Sequence, residues 1–181
     1  PERDLERAPL LAKRSRIRRE LGDEGGALYD LERAYSLAPP AYADSLIEQL
    51  GALRQAAYAS GDIETAGALT LRIAETLTGL QKPGDALRWV EDALPHDPQN
   101  RVLLRKACEL AELTFDYERA SNRYHQLAFL EEGPAVSEIG LKLFALSDHV
   151  GNFVATRPVL ERALQLDKKN VPLKDALRAT Y

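Results

Sequence analysis

Apolar residues recur at helical spacing along almost the whole chain. The stretch from 27 to 37 is typical, with apolar positions at Ala27, Leu28, Leu31, Ala34, Tyr35 and Leu37. Intervals of three and four residues place such side chains on one face of an α-helix. No stretch alternates apolar and polar residues with the β-branched enrichment of strands. The pattern therefore predicts an all-α chain.

Short polar segments separate these helical stretches. They contain the Gly, Pro, Asp or Asn residues that end one helix and begin or cap the next. Asp62 and Asp116 are predicted N-caps of this kind. We expect about ten antiparallel helices of roughly 11 to 18 residues each, two of which cover residues 41–59 and 62–79.

The helices repeat with a regular period. Ala86 and Ala120 lie 34 residues apart, and Thr156 follows Ala120 after 36 residues. Each lies early in the second helix of a pair, and seven residues later come Ala93, Leu127 and Ala163. Small residues at both positions let two helices cross closely. Ala86, Ala93, Ala120 and Ala163 are therefore expected in the packing of the pairs, and the period indicates a stack of helix–turn–helix units.

The residues at these positions resemble the tetratricopeptide repeat. The segment 101–134 follows the family's pattern through Cys108, Tyr117, Ala120, Tyr124 and Leu127, with Phe115 where the pattern has Gly. The segment 137–170 follows it through Phe144, Gly151, Phe153, Thr156, Leu160 and Ala163. The resemblance implies an α-solenoid, a right-handed superhelix of antiparallel helix pairs.

Residues 1–181 are accordingly expected to form a single array. Its approximate units are 8–40, 41–80, 81–100 (a second helix), 101–134, 135–170 and 171–181, the start of a further helix.

Two features depart from strict repetition. Two helices lie between the second helices that contain Ala34 and Ala93, where strict alternation requires one or three. We therefore expect a phase slip near residues 60–82. Pro158 falls inside the expected second helix of the last full unit, so this helix should either begin late with Thr156 as its cap or be kinked.

The sequence lacks the motifs that carry catalysis. There is no phosphate loop, no dinucleotide-binding glycine pattern, no zinc-protease motif and no nucleophile elbow. The three histidines lack metal-ligand spacing, and Cys108, the only cysteine, occupies a small-residue packing position. We expect a buried thiol, no enzymatic activity, no cofactor and no metal.

Charge narrows the choice of partners. The net charge of −4 gives no strong attraction to nucleic acid or to anionic membranes, and no apolar stretch is long enough to span a bilayer. The run KRSRIRR at 13–19 is the sharpest basic feature. It is expected to be a solvated helix face opposite Glu2, Asp4 and Glu6, with a nucleic-acid-binding helix as the alternative.

The resemblance also implies that the first helix of each pair lines a concave groove. Carried over by position, the expected groove residues are Lys13, Arg16, Arg19, Gln55, Tyr58, Arg105, Lys106, Glu109 and Lys142. Because several of them are cations, an acidic peptide or protein surface is the expected partner. Surface charges scattered without a function are the alternative.

These observations lead to a protein–protein interaction scaffold. The Arg-, Ala- and Leu-rich composition and the degenerate repeats resemble the periplasmic repeat regions of bacterial outer-membrane exopolysaccharide export proteins of the Pel or cellulose type. There the chain would recruit a polysaccharide-modifying enzyme to a biofilm system, and direct contact with the polysaccharide stays open. The alternatives are a cytosolic adaptor or regulator domain that binds an acidic peptide, and a helical-repeat nucleic-acid binder.

The location of the chain depends on which of these settings applies. The export setting implies the periplasm, and the adaptor setting implies the cytoplasm. The chain begins at Pro1, contains no methionine and shows no apolar signal segment. We therefore expect it to be a piece of a larger protein.

Overall fold

The chain is built from α-helices. The structure, a computed structural model, describes residues 2–181, with side chains from Glu6 onward. Within this range it contains ten helices and no strand, which confirms the predicted all-α class. They are α1 (Glu2–Glu20), α2 (Glu24–Leu37), α3 (Pro39–Ser60), α4 (Ile63–Gly79), α5 (Pro83–Ala93), α6 (Arg101–Leu113), α7 (Tyr117–Leu130), α8 (Pro134–Val150), α9 (Phe153–Leu166) and α10 (Val171–Ala179).

Capping residues begin the helices where the sequence predicts. The carboxylate of Asp62 accepts a hydrogen bond from the backbone N–H of Thr65, and Asp116 does the same for Arg119. Three helices fall outside the expected lengths, since α1 has 19 residues, α3 has 22 and α10 has 9.

The helices form two compact units, with the boundary inside α5. The first unit ends at Trp89 and the second begins at Val90. In the first unit α1 packs against α2, α2 against α3, and α3 against α4. The indole of Trp89 returns to α3, where the Arg54 guanidinium lies 4.8 Å from its ring centroid.

The second unit repeats the paired arrangement. Here α6 packs against α7, α7 against α8, α8 against α9, and α10 against both α8 and α9. Apolar side chains of the last three helices form a core cluster: Val136, Leu160, Ala163, Leu173 and Ala176. The chain order leaves α5 as the single helix between the α3–α4 and α6–α7 pairs, directly after the segment 60–82 where the slip is expected.

Small residues occupy the helix crossings, as the repeat predicts. The side chains of Ala86, Ala93, Ala120 and Ala163 are all buried. Burial of alanine at a crossing lets two helix backbones approach closely, so a larger side chain there would force them apart.

The expected late start of α9 at Thr156 is wrong. The helix begins at Phe153, where the Asn152 side chain accepts a hydrogen bond from the Ala155 N–H. Thr156 lies inside α9 and is buried, and its hydroxyl donates to the carbonyl of Phe153. Pro158 also lies inside α9, where it lacks the N–H that would bond to the carbonyl of Val154.

Candidate functional site

The second unit contains an open cleft between α6, α7 and α8. The cleft encloses about 640 Å³, a volume within the usual range of ligand-binding pockets. Its apolar lining consists of Leu113, Phe115, Leu127 and Ile139, and its polar lining of Arg105, Glu109, Glu112, Tyr124, Glu138 and Lys142. We call it the α6–α8 cleft.

Phe115 is held at the edge of this cleft by an unfavourable turn. It follows α6 with a φ of +59° and is 74% exposed. The turns after α1, α3 and α8 adopt the same left-handed region with Gly22, Gly61 and Gly151. For a residue with a Cβ this conformation costs about 1 kcal/mol. The chain thus places an exposed aromatic ring in a conformation for which three of its other turns use glycine.

Both cations of the cleft are already paired with carboxylates. The Arg105 guanidinium lies 2.6 Å from the carboxylate of Glu131, which is only 8% exposed. The Lys142 amino group lies 3.0 Å from the carboxylate of Glu112. The hydroxyl of Tyr124 also donates to Glu112, and burial together with this carboxylate raises the pKa of that phenol.

The remaining carboxylates are more accessible. Glu109 forms an exposed pair with Lys106, one turn earlier on α6. Glu138 is exposed and has no ion-pair partner among the residues that the structure describes. Three carboxylates and two cations line the cleft, so its formal charge is −1. This part of the expected groove is therefore not a cationic surface.

The structure brings together three of the four expected groove residues of the second unit. Arg105, Glu109 and Lys142 line the α6–α8 cleft. Lys106 lies beside it, with its amino group 3.2 Å from Glu109. Leu113 and Phe115 line the cleft as well, although the sequence does not place them in the groove. The signal that could have identified Phe115 is its position, where the repeat pattern has Gly.

The expected groove residues of the first unit are more dispersed. Lys13, Arg16 and Arg19 are exposed on α1. Arg16 and Arg19 line a smaller pocket of about 250 Å³ between α1, α2 and α3. On α3, Gln55 is exposed and Tyr58 is half-buried, with its ring 5.1 Å from the Arg54 guanidinium.

Most of the basic run 13–19 is exposed, as expected, but two of its arginines pair with a buried carboxylate. Arg14 donates two hydrogen bonds to the fully buried carboxylate of Asp30 on α2. Arg18 lies 3.1 Å from the same carboxylate. The hydrogen bonds from Arg14 hold the pKa of Asp30 below its usual value. Of the acids expected opposite this run, Glu2 and Asp4 lie outside the described side chains, and Glu6 is exposed.

Groups that could perform chemistry are few in the described part of the chain. No group of three or more His, Cys, Asp or Glu residues there is placed to hold a metal ion. Cys108 is buried, as expected, and burial raises the pKa of its thiol to about 12. His149 stacks on Tyr117 with a centroid distance of 4.1 Å. The described residues also contain no helix of the length and hydrophobicity that a membrane crossing requires.

Solved structures of similar architecture are found among tetratricopeptide repeat proteins. A tetratricopeptide repeat protein from Parabacteroides merdae superimposes with a TM-score of 0.52 at 18% identity, over 97% of this chain and 59% of that one. YrrB, described as a repeat protein with an unusual peptide-binding site, gives 0.48 at 12% identity over 93% and 90%. MamA gives 0.48 at 14% identity over 97% and 81%.

These likenesses concern the fold. No family model matches the sequence, and no curated protein does. The chain spans 59% of the length of the Parabacteroides merdae protein, which is the one of these three with a TM-score above 0.5. At 18% identity that match identifies an architecture of helix pairs. The chain has the fold of a tetratricopeptide repeat protein.

Proposed function

We propose that the chain is a non-catalytic protein–protein interaction scaffold and that its α6–α8 cleft holds a segment of a partner protein. The observation that carries this proposal is the position of Phe115. An exposed aromatic ring in a left-handed turn is unfavourable for the folded chain in two ways, through backbone strain and through apolar exposure. A partner side chain packed on Phe115 and Leu113 would remove that exposure.

The form of the cleft supports a peptide segment as its occupant. It is an open cleft, and it combines apolar side chains with charged groups on both α6 and α8. Binding sites for extended segments combine such apolar anchors with polar groups that fix orientation. The stacked helix pairs of this fold provide rigid elements on which these groups are held.

Selection from a random peptide library tests this function. Phage that display random nonapeptides would be selected on the immobilised chain, and each enriched clone would then be tested on Phe115→Gly and Gln81→Gly. Gln81 has the same φ of +59° but lies after α4 in the first unit. Each substitution relieves the same kind of left-handed backbone strain, one in the turn after α4 and the other in the turn after α6. Only Phe115→Gly also removes a side chain of the cleft.

We expect the enriched clones to bind Gln81→Gly normally and Phe115→Gly weakly. A selection that enriches no clones would contradict the proposed function. Clones that bind both variants equally would contradict it as well.

For the wider setting, we propose that the scaffold recruits a polysaccharide-modifying enzyme to a bacterial exopolysaccharide export system in the periplasm. This proposal is supported by the Arg-, Ala- and Leu-rich composition and by the degenerate repeats of the sequence. The test is affinity purification of the natural full-length protein from its own organism, with wild type and Phe115→Gly compared. A polysaccharide-modifying enzyme that co-purifies only with the wild type supports this setting, and its absence from both samples contradicts it.

A cytoplasmic adaptor that binds an acidic peptide is the second candidate. The observation that favours it is the pocket of the first unit, where Arg16 and Arg19 lie beside Glu48. Recovery of cytoplasmic regulatory proteins in the same purification would support it, provided that Arg16→Glu and Arg19→Glu abolish the recovery.

A further inference from the structure

The charges of the α6–α8 cleft point to the chemistry of its occupant. We infer that the cleft binds a basic peptide segment, in which a Lys or Arg side chain lies next to an apolar residue. The positive group pairs with Glu138 and Glu109, and the apolar residue packs on Leu113 and Phe115. This inference rests on the proposed function, and it reverses the acidic partner that the sequence led us to expect.

The cations of the cleft are poorly placed to receive an acidic peptide. Arg105 is the ion-pair partner of the buried carboxylate of Glu131. An acidic ligand that drew Arg105 away would leave a buried charge without compensation, which is strongly unfavourable. Lys142 is likewise engaged by Glu112, whose other partner is the Tyr124 hydroxyl.

The carboxylates Glu138 and Glu109 are better placed to receive a basic peptide. Glu138 is exposed, and no described residue forms an ion pair with it. Glu109 has a side chain that is 60% exposed, and its partner Lys106 is a neighbour on the same helix. Exposed pairs of this spacing contribute little free energy, so a ligand cation can replace Lys106 at small cost. Both carboxylates line the same cleft.

The aromatic edge favours the same class of ligand. Lys and Arg side chains bury their aliphatic stems on apolar surface while the charged group stays in water. A cation that lies over an aromatic face gains a further attraction, even at exposed sites. Phe115 offers such a face next to Leu113. An acidic side chain would gain neither contribution there.

The library selection described above also tests this inference. Its consensus is expected to contain Lys or Arg beside an apolar residue. A labelled peptide of that consensus would then be titrated by fluorescence anisotropy into the wild type, Glu138→Lys, Glu109→Lys and Glu132→Lys. Glu132 is an exposed acid of the same unit outside the cleft lining, so its reversal is the matched control for net charge.

We expect Glu138→Lys and Glu109→Lys to weaken binding by about fivefold each, as the loss of an exposed charge pair would. Glu132→Lys should leave the affinity unchanged. A consensus rich in Asp or Glu, or equal affinity for all four proteins, would overturn the basic-peptide inference while the function of the cleft stands. A selection without clones that depend on Phe115 would instead overturn the proposed function.

Discussion

Two single residues carry backbone strain that the fold itself does not require. Gln81 and Phe115 are the two non-glycine residues with positive φ in the described chain, and each follows a helix as Gly61 and Gly151 do elsewhere. Only one of the two lines the cleft. Comparison of Gln81 with Phe115 therefore separates the backbone strain that both turns carry from the contribution of the Phe115 side chain to the cleft.

Replacement of either residue by glycine is expected to stabilise the chain. Relief of the left-handed conformation contributes about 1 kcal/mol, and Phe115→Gly should give less because it loses the edge contact between Phe115 and Tyr117. Urea unfolding at neutral pH measures both changes. A loss of stability in Gln81→Gly would show that the side chain contributes more than the turn costs.

Arg105 is an exposed cation whose ion-pair partner, Glu131, is buried. Reversal of Arg105 is expected to lower the melting temperature, because it would leave the buried carboxylate of Glu131 without its partner. Arg105→Glu should cost about 2 kcal/mol in the free energy of unfolding. Lys106→Glu, one residue away, should cost less than about 1 kcal/mol. Equal urea midpoints for the two variants would mean that the pair with Glu131 contributes nothing.

The helices were predictable because local rules determine them. The spacing of apolar residues identified the segments, and Asp62 and Asp116 cap α4 and α7 as their side-chain chemistry requires. α9 differed from the expectation because Asn152 caps it before Pro158 can set its start. A capping side chain bonds to backbone groups within one helical turn, so the sequence predicts helix ends most reliably from residues that lie this close together.

Helix crossings give a prediction about α7. Ala120 is fully buried, so Ala120→Arg forces a long charged side chain into a tight crossing and should cost several kcal/mol. Gln126→Arg, at an exposed position of the same helix, is the matched control and should leave stability nearly unchanged. Circular dichroism melts compare the two. Similar melting of Ala120→Arg and wild type would show that this crossing is not tight.

The candidate site was only partly predictable, because its charges depend on partners far away in sequence. The sequence identifies Arg105 as a cation but not its pairing with Glu131, which lies 26 residues later. In the same way Asp30, 16 residues after Arg14, receives two hydrogen bonds from it. Position in the repeat places a residue on a helix face, whereas only the packed structure shows which charges remain accessible.

Across the whole chain, acid sensitivity is expected to begin in the first unit. The described carboxyl groups with depressed pKa are Asp30, hydrogen-bonded by Arg14, and Asp62, hydrogen-bonded by Thr65. Both lie in the unit that ends at Trp89. A depressed pKa stabilises the fold above the unfolded-state value near pH 4 and loses this effect as the pH falls through the folded-state value.

Each unit carries one natural probe for this prediction. Trp89, the only tryptophan, reports on the first unit, and the buried thiol of Cys108, the only cysteine, reports on the second. As the pH is lowered below about 4, the fluorescence of Trp89 should change before Cys108 becomes reactive towards a disulfide reagent that works in acid. Reaction of Cys108 at a higher pH than the Trp89 transition would contradict this order.

The variant Asp30→Asn separates this cause from general acid denaturation. At neutral pH its free energy of unfolding should be about 2 kcal/mol lower than that of the wild type, because it loses charged hydrogen bonds from Arg14. Below the folded-state pKa of Asp30 the difference should shrink, since the wild-type carboxyl is then protonated as well. Asp44→Asn, at an exposed position on α3, is the control and should follow the wild type at every pH. If the difference between Asp30→Asn and wild type stayed constant from neutral to acid pH, the ion pairs of Asp30 with Arg14 and Arg18 would not be the origin of the acid sensitivity.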